Sequence, residues 1–271
     1  MTNFQTIIIT LIILIPISTF SQEFNNPESV VFDSETNSYF VSNNGNGTIL
    51  QIDTSKKTTI FKEGLSGLLG IKIFKDIVYV AEDVKSGDDV IHGFDKFSGE
   101  EVFVKSIPNS KQLNDIEIDN KGNLYVSDRK DHKIYKINLK KKNYEVFVDS
   151  LIKTPNGLYF EKKSKRLFVC NTIDKSEIFE VNIKTGKTIL ICKTYYSHFD
   201  GITIGSNGFI YVTSWSEDWK ESKLLKYDGK TFTEILSNKN GMADIYFNKK
   251  KNCIEIANFY KNTISSFKLL Q

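Results

Sequence analysis

The chain has 271 residues, with 36 Lys and Arg against 33 Asp and Glu, a formal net charge of +3. The basic residues sit in turns such as Lys140-Lys141-Lys142-Asn143 and form no basic face with interleaved aromatics, which speaks against a nucleic-acid partner. Cys170, Cys192 and Cys253 lack the CxxC or Cys/His spacing of zinc and redox centres.

Residues 1–21, MTNFQTIIITLIILIPISTFS, carry no charged side chain. The apolar run from Ile7 to Phe20 is short for a bilayer span and fits the core of a secretory leader, with small Thr19 and Ser21 just before a cut at Gln22. A signal peptide over 1–21 and an exported domain over 22–271, periplasmic or extracellular, are therefore expected.

From residue 27 onward, apolar residues alternate with polar ones in runs of four to seven, separated by Gly, Asn, Asp and Lys turns. That is the pattern of an all-β chain. Six segments share a layout, opening as PESVVFD, LGIKIFK, LNDIEID, PNGLYFE, FDGITIG and MADIYFN. A second strand follows each: SYFVSN, IVYVAED, NLYVSD, RLFVCN, FIYVTS and CIEIAN. Aligning the openings places Glu28, Gly70, Asn114, Asn156, Asp200 and Ala243 at one position, with steps of 42, 44, 42, 44 and 43 residues. So steady a period predicts a six-bladed β-propeller with four-stranded blades and a central channel, which uses the whole mature chain. Cys170 and Cys192 then fall two strands apart in one blade, too far for a disulfide, and all three cysteines read as small buried hydrophobes. The last repeat offers strands near 243–247, 253–258 and 263–269, so its fourth strand comes from 22–26 or is missing.

In a propeller the innermost strands line the channel, so one repeat position from every blade meets around the axis. The predicted ring offers two carboxylates and two amides, a hard-oxygen set suited to Ca²⁺, or to another divalent cation, and no His or Cys for zinc, copper or iron. Asn and Asp at strand starts also bind nearby backbone, and Asp115 and Asp244, one place further on, are expected to do that. Two buried carboxylates near one axis still call for a cation.

Four of these segments together resemble the SMP-30/gluconolactonase/LRE-like family: PESVVFD its Glu motif, LNDIEID its Asn-Asp motif, TPNGLYF its Pro-Asn-Gly motif and HFDGITIG its Asp-Gly motif. Ser29-Val30 stands where Gly-Pro usually follows the glutamate, and Lys111-Gln112 where members acting on sugar lactones often carry Arg. The resemblance implies Glu28, Asn156 and Asp200 as the principal metal ligands, with Asn114 contacting the metal or its bound water and substrate. It also implies a lactonase- or esterase-type hydrolase in which the metal polarises a carbonyl and Asp200 orients or activates water. Asp115 and Asp128 are alternative bases.

Among the remaining candidates, His198 stands two residues before Asp200, either shuttling protons or satisfied at the surface. His92 and His132 are expected in or near turns. Trp215 and Trp219 are expected in a long loop, as a pocket wall or as packing, and NNGNGT at 43–48 as a hairpin turn. No Gly-x-Ser-x-Gly elbow supports a serine nucleophile. The expected partner is a small ester or lactone bound by a monomer. The alternative is a non-catalytic propeller, similar to NHL-repeat proteins, that binds a protein or polysaccharide.

Overall fold

The computed structural model describes residues 23–238 and 240–269. It is all-β. Blade one comprises β1 (Pro27–Asp33), β2 (Ser38–Asn43), β3 (Thr48–Ile52) and β4 (Thr58–Lys62); blade two β5 (Gly67–Phe74), β6 (Ile77–Asp83), β7 (Val90–Asp95) and β8 (Glu101–Ser106). Blade three holds β9 (Leu113–Ile118), β10 (Asn123–Asp128), β11 (Lys133–Asn138) and β12 (Asn143–Asp149); blade four β13 (Pro155–Glu161), β14 (Arg166–Asn171), β15 (Glu177–Asn182) and β16 (Thr188–Lys193). Blade five is built from β17 (Phe199–Ile204), β18 (Ile210–Trp215), β19 (Ser222–Tyr227) and β20 (Phe232–Asn238), and blade six from β21 (Met242–Asn248), β22 (Cys253–Asn258) and β23 (Thr263–Lys268). Each blade is an antiparallel meander in chain order, so its first strand is innermost and its last is the exposed edge. The fold is the expected six-bladed propeller.

The core lies between blades. Alternate residues of each strand face opposite sides of its sheet, so every blade packs apolar side chains against both neighbours. One cluster joins blades two and three through Ile91, Phe103, Ile116 and Leu124. Another joins blades three and four through Tyr125, Ile134, Leu158 and Leu167. The apolar cluster at the closing seam, between blades six and one, is the smallest among the described residues, with Val30, Val41 and Leu50 fully buried against Tyr246, Ile264 and Phe24.

Hydrogen bonds compensate there. Asn26 N–H donates to Asn262 Oδ1 at 2.7 Å, its Nδ2 donates to Phe259 O at 3.1 Å, and its carbonyl accepts from Asn44 N at 3.0 Å. Tyr39 hydroxyl donates to Glu255 Oε1 at 2.6 Å across the same seam. The described part of 22–26 is thus a latch between turns and not a strand, and the sixth blade has three strands among the described residues. The expected leader over 1–21 lies outside the described residues, among which no helix is long and apolar enough to cross a membrane.

Two expectations shift. His92 lies within β7 rather than a turn, bonded by Nε2 to Glu82 at 2.7 Å and by Nδ1 to Glu101. Cys192 is half-buried on an edge strand, unlike buried Cys170 and Cys253, and all three are free thiols. His132 does sit in a turn, at φ 56°, where Nδ1 accepts the Thr154 N–H.

Candidate functional site in the channel

Every innermost strand carries a β-bulge at the same place. Phe199 pairs with Ser214 and Ile202 with Val212, so two residues, Asp200 and Gly201, stand opposite one. The same irregularity falls at Leu68/Ile71, at 113–116 and at Pro155/Leu158. A bulge re-aims the strand and releases two successive residues from the ladder. Here both belong to the channel.

The bulges also fix the register, and they move one residue. In β5 the pair matching Asp200-Gly201 is Leu69-Gly70, so Leu69, not Gly70, completes the upper ring with Glu28, Asn114, Asn156, Asp200 and Ala243. Gly70 belongs one layer deeper, where a Cβ would come within 2.7 Å of the Asp115 backbone. The donor set is unchanged. Glu28 of blade one stands across the axis from Asn156 of blade four, flanked by the apolar ring members of blades two and six.

Hydroxyls on the second strands hold three of these bulges. Ser127 Oγ accepts the Asp115 N–H at 3.1 Å and donates to Asn156 O of the next blade at 2.8 Å. Thr213 Oγ1 does the same with Gly201 N at 2.8 Å and Ala243 O at 2.7 Å, and Ser42 with Ser29 N and Leu69 O. Cys170 takes this place in blade four, its Sγ 3.2 Å from Asp200 O, and burial pushes its thiol far above the usual range. Gly157 is the tightest point of the layer: a Cβ there would stand 2.3 Å from Asp200 O. Gly157→Ala is therefore expected to cost about 2 kcal/mol through overpacking. A lower urea midpoint at unchanged m-value would register it, and an unchanged midpoint would refute the close approach.

Above the ring opens a cavity of about 200 Å³. Asn156 Nδ2 donates to Thr172 Oγ1 at 2.8 Å and to Asp200 Oδ1 at 2.9 Å, which uses both amide hydrogens and leaves its Oδ1 for a ligand. Asp200 Oδ2 accepts Trp215 Nε1–H at 2.9 Å. Glu28 Oε2 and Asn114 Oδ1 are buried acceptors without a hydrogen-bond partner. Buried oxygens in that state need a cation or a donor, so the set fits a hard divalent ion. Among the described residues no three His, Cys, Asp or Glu converge as a metal cluster, so an ion here would depend on the amide oxygens too.

Electrostatics agrees. Burial pushes the Glu28 carboxyl well above its usual range and Asp200, Asp244 and Asp115 push it further, while Arg129 opposes. Burial also raises Asp200, against Arg129 and the bonds from Trp215 and Asn156. One layer below, burial raises Asp115 strongly and lifts Asp244 to about 6, with the Lys72 charge opposing both. Asp244 accepts from Ser29 Oγ, and Asp115 Oδ2 accepts Leu158 N–H at 2.6 Å, so Asp115 is engaged in holding backbone as its position suggests. Asp128 is occupied as well, accepting the Lys111, Gln112 and Asp131 N–H groups. Neither is free to act as a base.

The aromatic wall is partly as expected. Trp215 ends β18 rather than sitting in the loop, and Trp219 follows in the loop at φ 58° with its ring centroid 5.7 Å from that of Trp215. Both line the cavity. His198 stacks on Trp219 at 4.6 Å and pairs through Nε2 with Asp174 at 3.2 Å, so it backs the wall instead of facing the ring. Gln112, Arg129 and Tyr260 also line the cavity and were not singled out as site residues from the sequence. They follow second strands or precede first ones, positions that the repeat alignment itself brings to the channel mouth.

This fold and site define a six-bladed propeller with an oxygen-lined channel under an open pocket. The family model described as the SMP-30/gluconolactonase/LRE-like region matches residues 27–247, and the chain belongs to that family. No curated protein sequence matches. Among solved structures, a protein of unknown function from Bacteroides thetaiotaomicron VPI-5482 is similar at TM-score 0.74 and 14% identity, over 92% of this chain and 70% of that one. Virginiamycin B lyase from Staphylococcus aureus is similar at TM-score 0.65 and 13% identity, covering 92% and 88%. A luciferin-regenerating enzyme is similar at TM-score 0.65 and 15% identity, covering 89% and 86%. At such identities the likeness speaks for the fold.

Proposed function

We propose that the chain is an exported, calcium-dependent hydrolase of ester or lactone bonds, with its reaction centre on the upper ring. The observation that carries this is the pair of buried, unpartnered acceptors, Glu28 Oε2 and Asn114 Oδ1, in a ring completed by Asn156 and Asp200 at the floor of an open cavity. Glu28, Asn156 and Asp200 would hold the ion, with Asn114 beside it or on its water. A calcium ion so held supplies Lewis acidity toward the substrate carbonyl.

The rest falls to the chain. Asp200 is locked by Asn156 and Trp215, so it acts as an orienting group for the attacking water rather than as a mobile base. Asn114 is placed to hold the substrate or that water. The aromatic wall excludes bulk water from one side, which strengthens each polar contact inside. A site sealed around a structural ion would have no such cavity, so the open cavity supports the catalytic reading.

Calorimetric titration of the metal-stripped full chain with Ca²⁺ is the test, followed by a screen of aryl esters and lactones in calcium and in chelator. The expected result is one saturable site and hydrolysis abolished by chelator. A chain that takes up no calcium overturns the proposal. A chain that binds calcium but turns over none of these esters is a binding propeller.

A further inference from the structure

Arg129 is the one cation in the cavity wall among the described residues. It follows β10 directly, and it is fastened to Gln112 twice: backbone N–H to Gln112 O at 2.9 Å and Nε–H to Gln112 Oε1 at 2.9 Å. Gln112 is anchored in turn, its Nε2 on Asp83 Oδ2 at 2.9 Å and its N–H on Asp128 Oδ1 at 3.0 Å. The head is thus fixed through Nε, whereas Nη1 and Nη2 make no hydrogen bond or ion pair among the described residues. A guanidinium held that way presents its two terminal nitrogens as a fork for a planar anion.

The charge count points the same way. Glu28 and Asp200 bring two negative charges to the lining and Arg129 one positive. A divalent cation on the carboxylates leaves one positive charge over, which complements a monoanion. Facing this head is an aromatic wall: Trp215 meets Trp219 at 5.7 Å and Tyr260 edge-on at 5.3 Å, and Phe259 packs on Tyr260 at 5.6 Å. The open cavity of about 200 Å³ has room for about seven waters at ~30 Å³ each, which suits a small molecule.

We infer that the cavity selects a small aromatic carboxylate, its carboxylate taken by the Arg129 terminal nitrogens and its ring by the wall of Trp215, Trp219 and Tyr260. Arg129 is then a specificity-determining residue. The inference deepens the proposed function, on which it rests for the ring cation, by naming the part of the substrate that does not react. Aromatic faces suit a flat ring, and the Arg129 fork separates an anion from a neutral molecule of the same shape.

The test uses the only two tryptophans in the chain, both in this wall. With the full chain in excess calcium, tryptophan emission is titrated with benzoate and with the neutral isostere benzamide. Benzoate is expected to saturate the signal and to bind about tenfold or more tighter than benzamide. Arg129→Gln should erase that preference by weakening benzoate far more than benzamide, and Arg129→Lys should keep part of it. Equal binding of the two probes by wild type, binding of neither, or a preference surviving in Arg129→Gln each overturns the inference. Where Arg129→Gln fails to fold, Arg129→Lys decides, because a preference owed to the ring cation alone would survive there in full. Hydrolysis is read separately, so loss of the anion preference and absence of turnover remain distinguishable failures.

Discussion

Replacing Asp200 by alanine is expected to weaken calcium binding by at least about a hundredfold and to take hydrolysis with it. Asp200 is one of two carboxylates in the upper ring, and its oxygens accept from Asn156 Nδ2 and Trp215 Nε1. Removing a full charge at contact distance from a divalent ion forfeits several kcal/mol even at an effective dielectric of about 20. Each 1.4 kcal/mol is about tenfold in Kd. Asp200→Asn keeps an acceptor for Trp215 but loses the charge and sets an amide donor against Asn156 Nδ2, so it should fall between alanine and wild type. Trp215→Phe keeps the aromatic wall but frees Asp200 Oδ2, and a lost supporting bond of this kind costs about 10- to 100-fold in affinity. Calorimetry on the three variants orders them. If Asp200→Ala binds calcium as tightly as wild type, the ring is not the metal site.

Much of this arrangement was legible in the sequence because propeller geometry turns a repeat position into a point on the axis. The position of Asn156, after a turn and at a strand start, said little until five equivalents stood beside it. The error at blade two has a physical cause. Leu69 and Gly70 are both small or apolar, and the bulge puts both in the channel, so the first residue of the pair cannot be told from the second by polarity. The apolar positions two and four places on were the better guide: Val30 and Phe32, Ile71 and Ile73, Ile116 and Ile118 align only with Leu69 in the ring. Asp115 and Asp244 were read as backbone binders, and each does accept the N–H of the residue after it. Their depth was not legible, because burial depends on the Gly70 and Gly201 backbones that pack beside them. Arg129 escaped notice because its role comes from Gln112, a neighbour across the strand pair and not in sequence.

The Lys72 register follows from the same correction and carries the largest stability effect expected here. With Leu69 in the upper ring, Lys72 falls level with Glu117, Tyr159, Thr203 and Tyr246, at the opposite mouth of the channel. Its Nζ lies 3.2 Å from Glu117 Oε2. Burial works against its charge, but Glu117, Asp115 and Asp244 overcome that and hold the ammonium well above its usual range. Lys72→Met leaves those carboxylates without their cation, and since the Lys72–Glu117 pair is half-buried at an open mouth, the loss near neutral pH is about 3 kcal/mol, the low end of what breaking a buried pair costs. The loss should depend on pH. Asp244 titrates at about 6 when folded, against about 3.9 unfolded, so its protonation stabilises the fold fully below pH about 4, and that contribution, about 3 kcal/mol, is lost as pH rises through about 6. Removing Lys72 takes away the charge that holds Asp244 and Asp115 down, which raises both further and carries the loss to higher pH. Urea unfolding of the metal-free chain at about pH 4.5, 6 and 7.5 should therefore show a small deficit for Lys72→Met in acid that widens toward neutrality. Asp244→Asn added to Lys72→Met should recover part of it by removing one of the stranded charges. A deficit of the same size at all three pH values would mean that Lys72 contributes its packed stem rather than its charge.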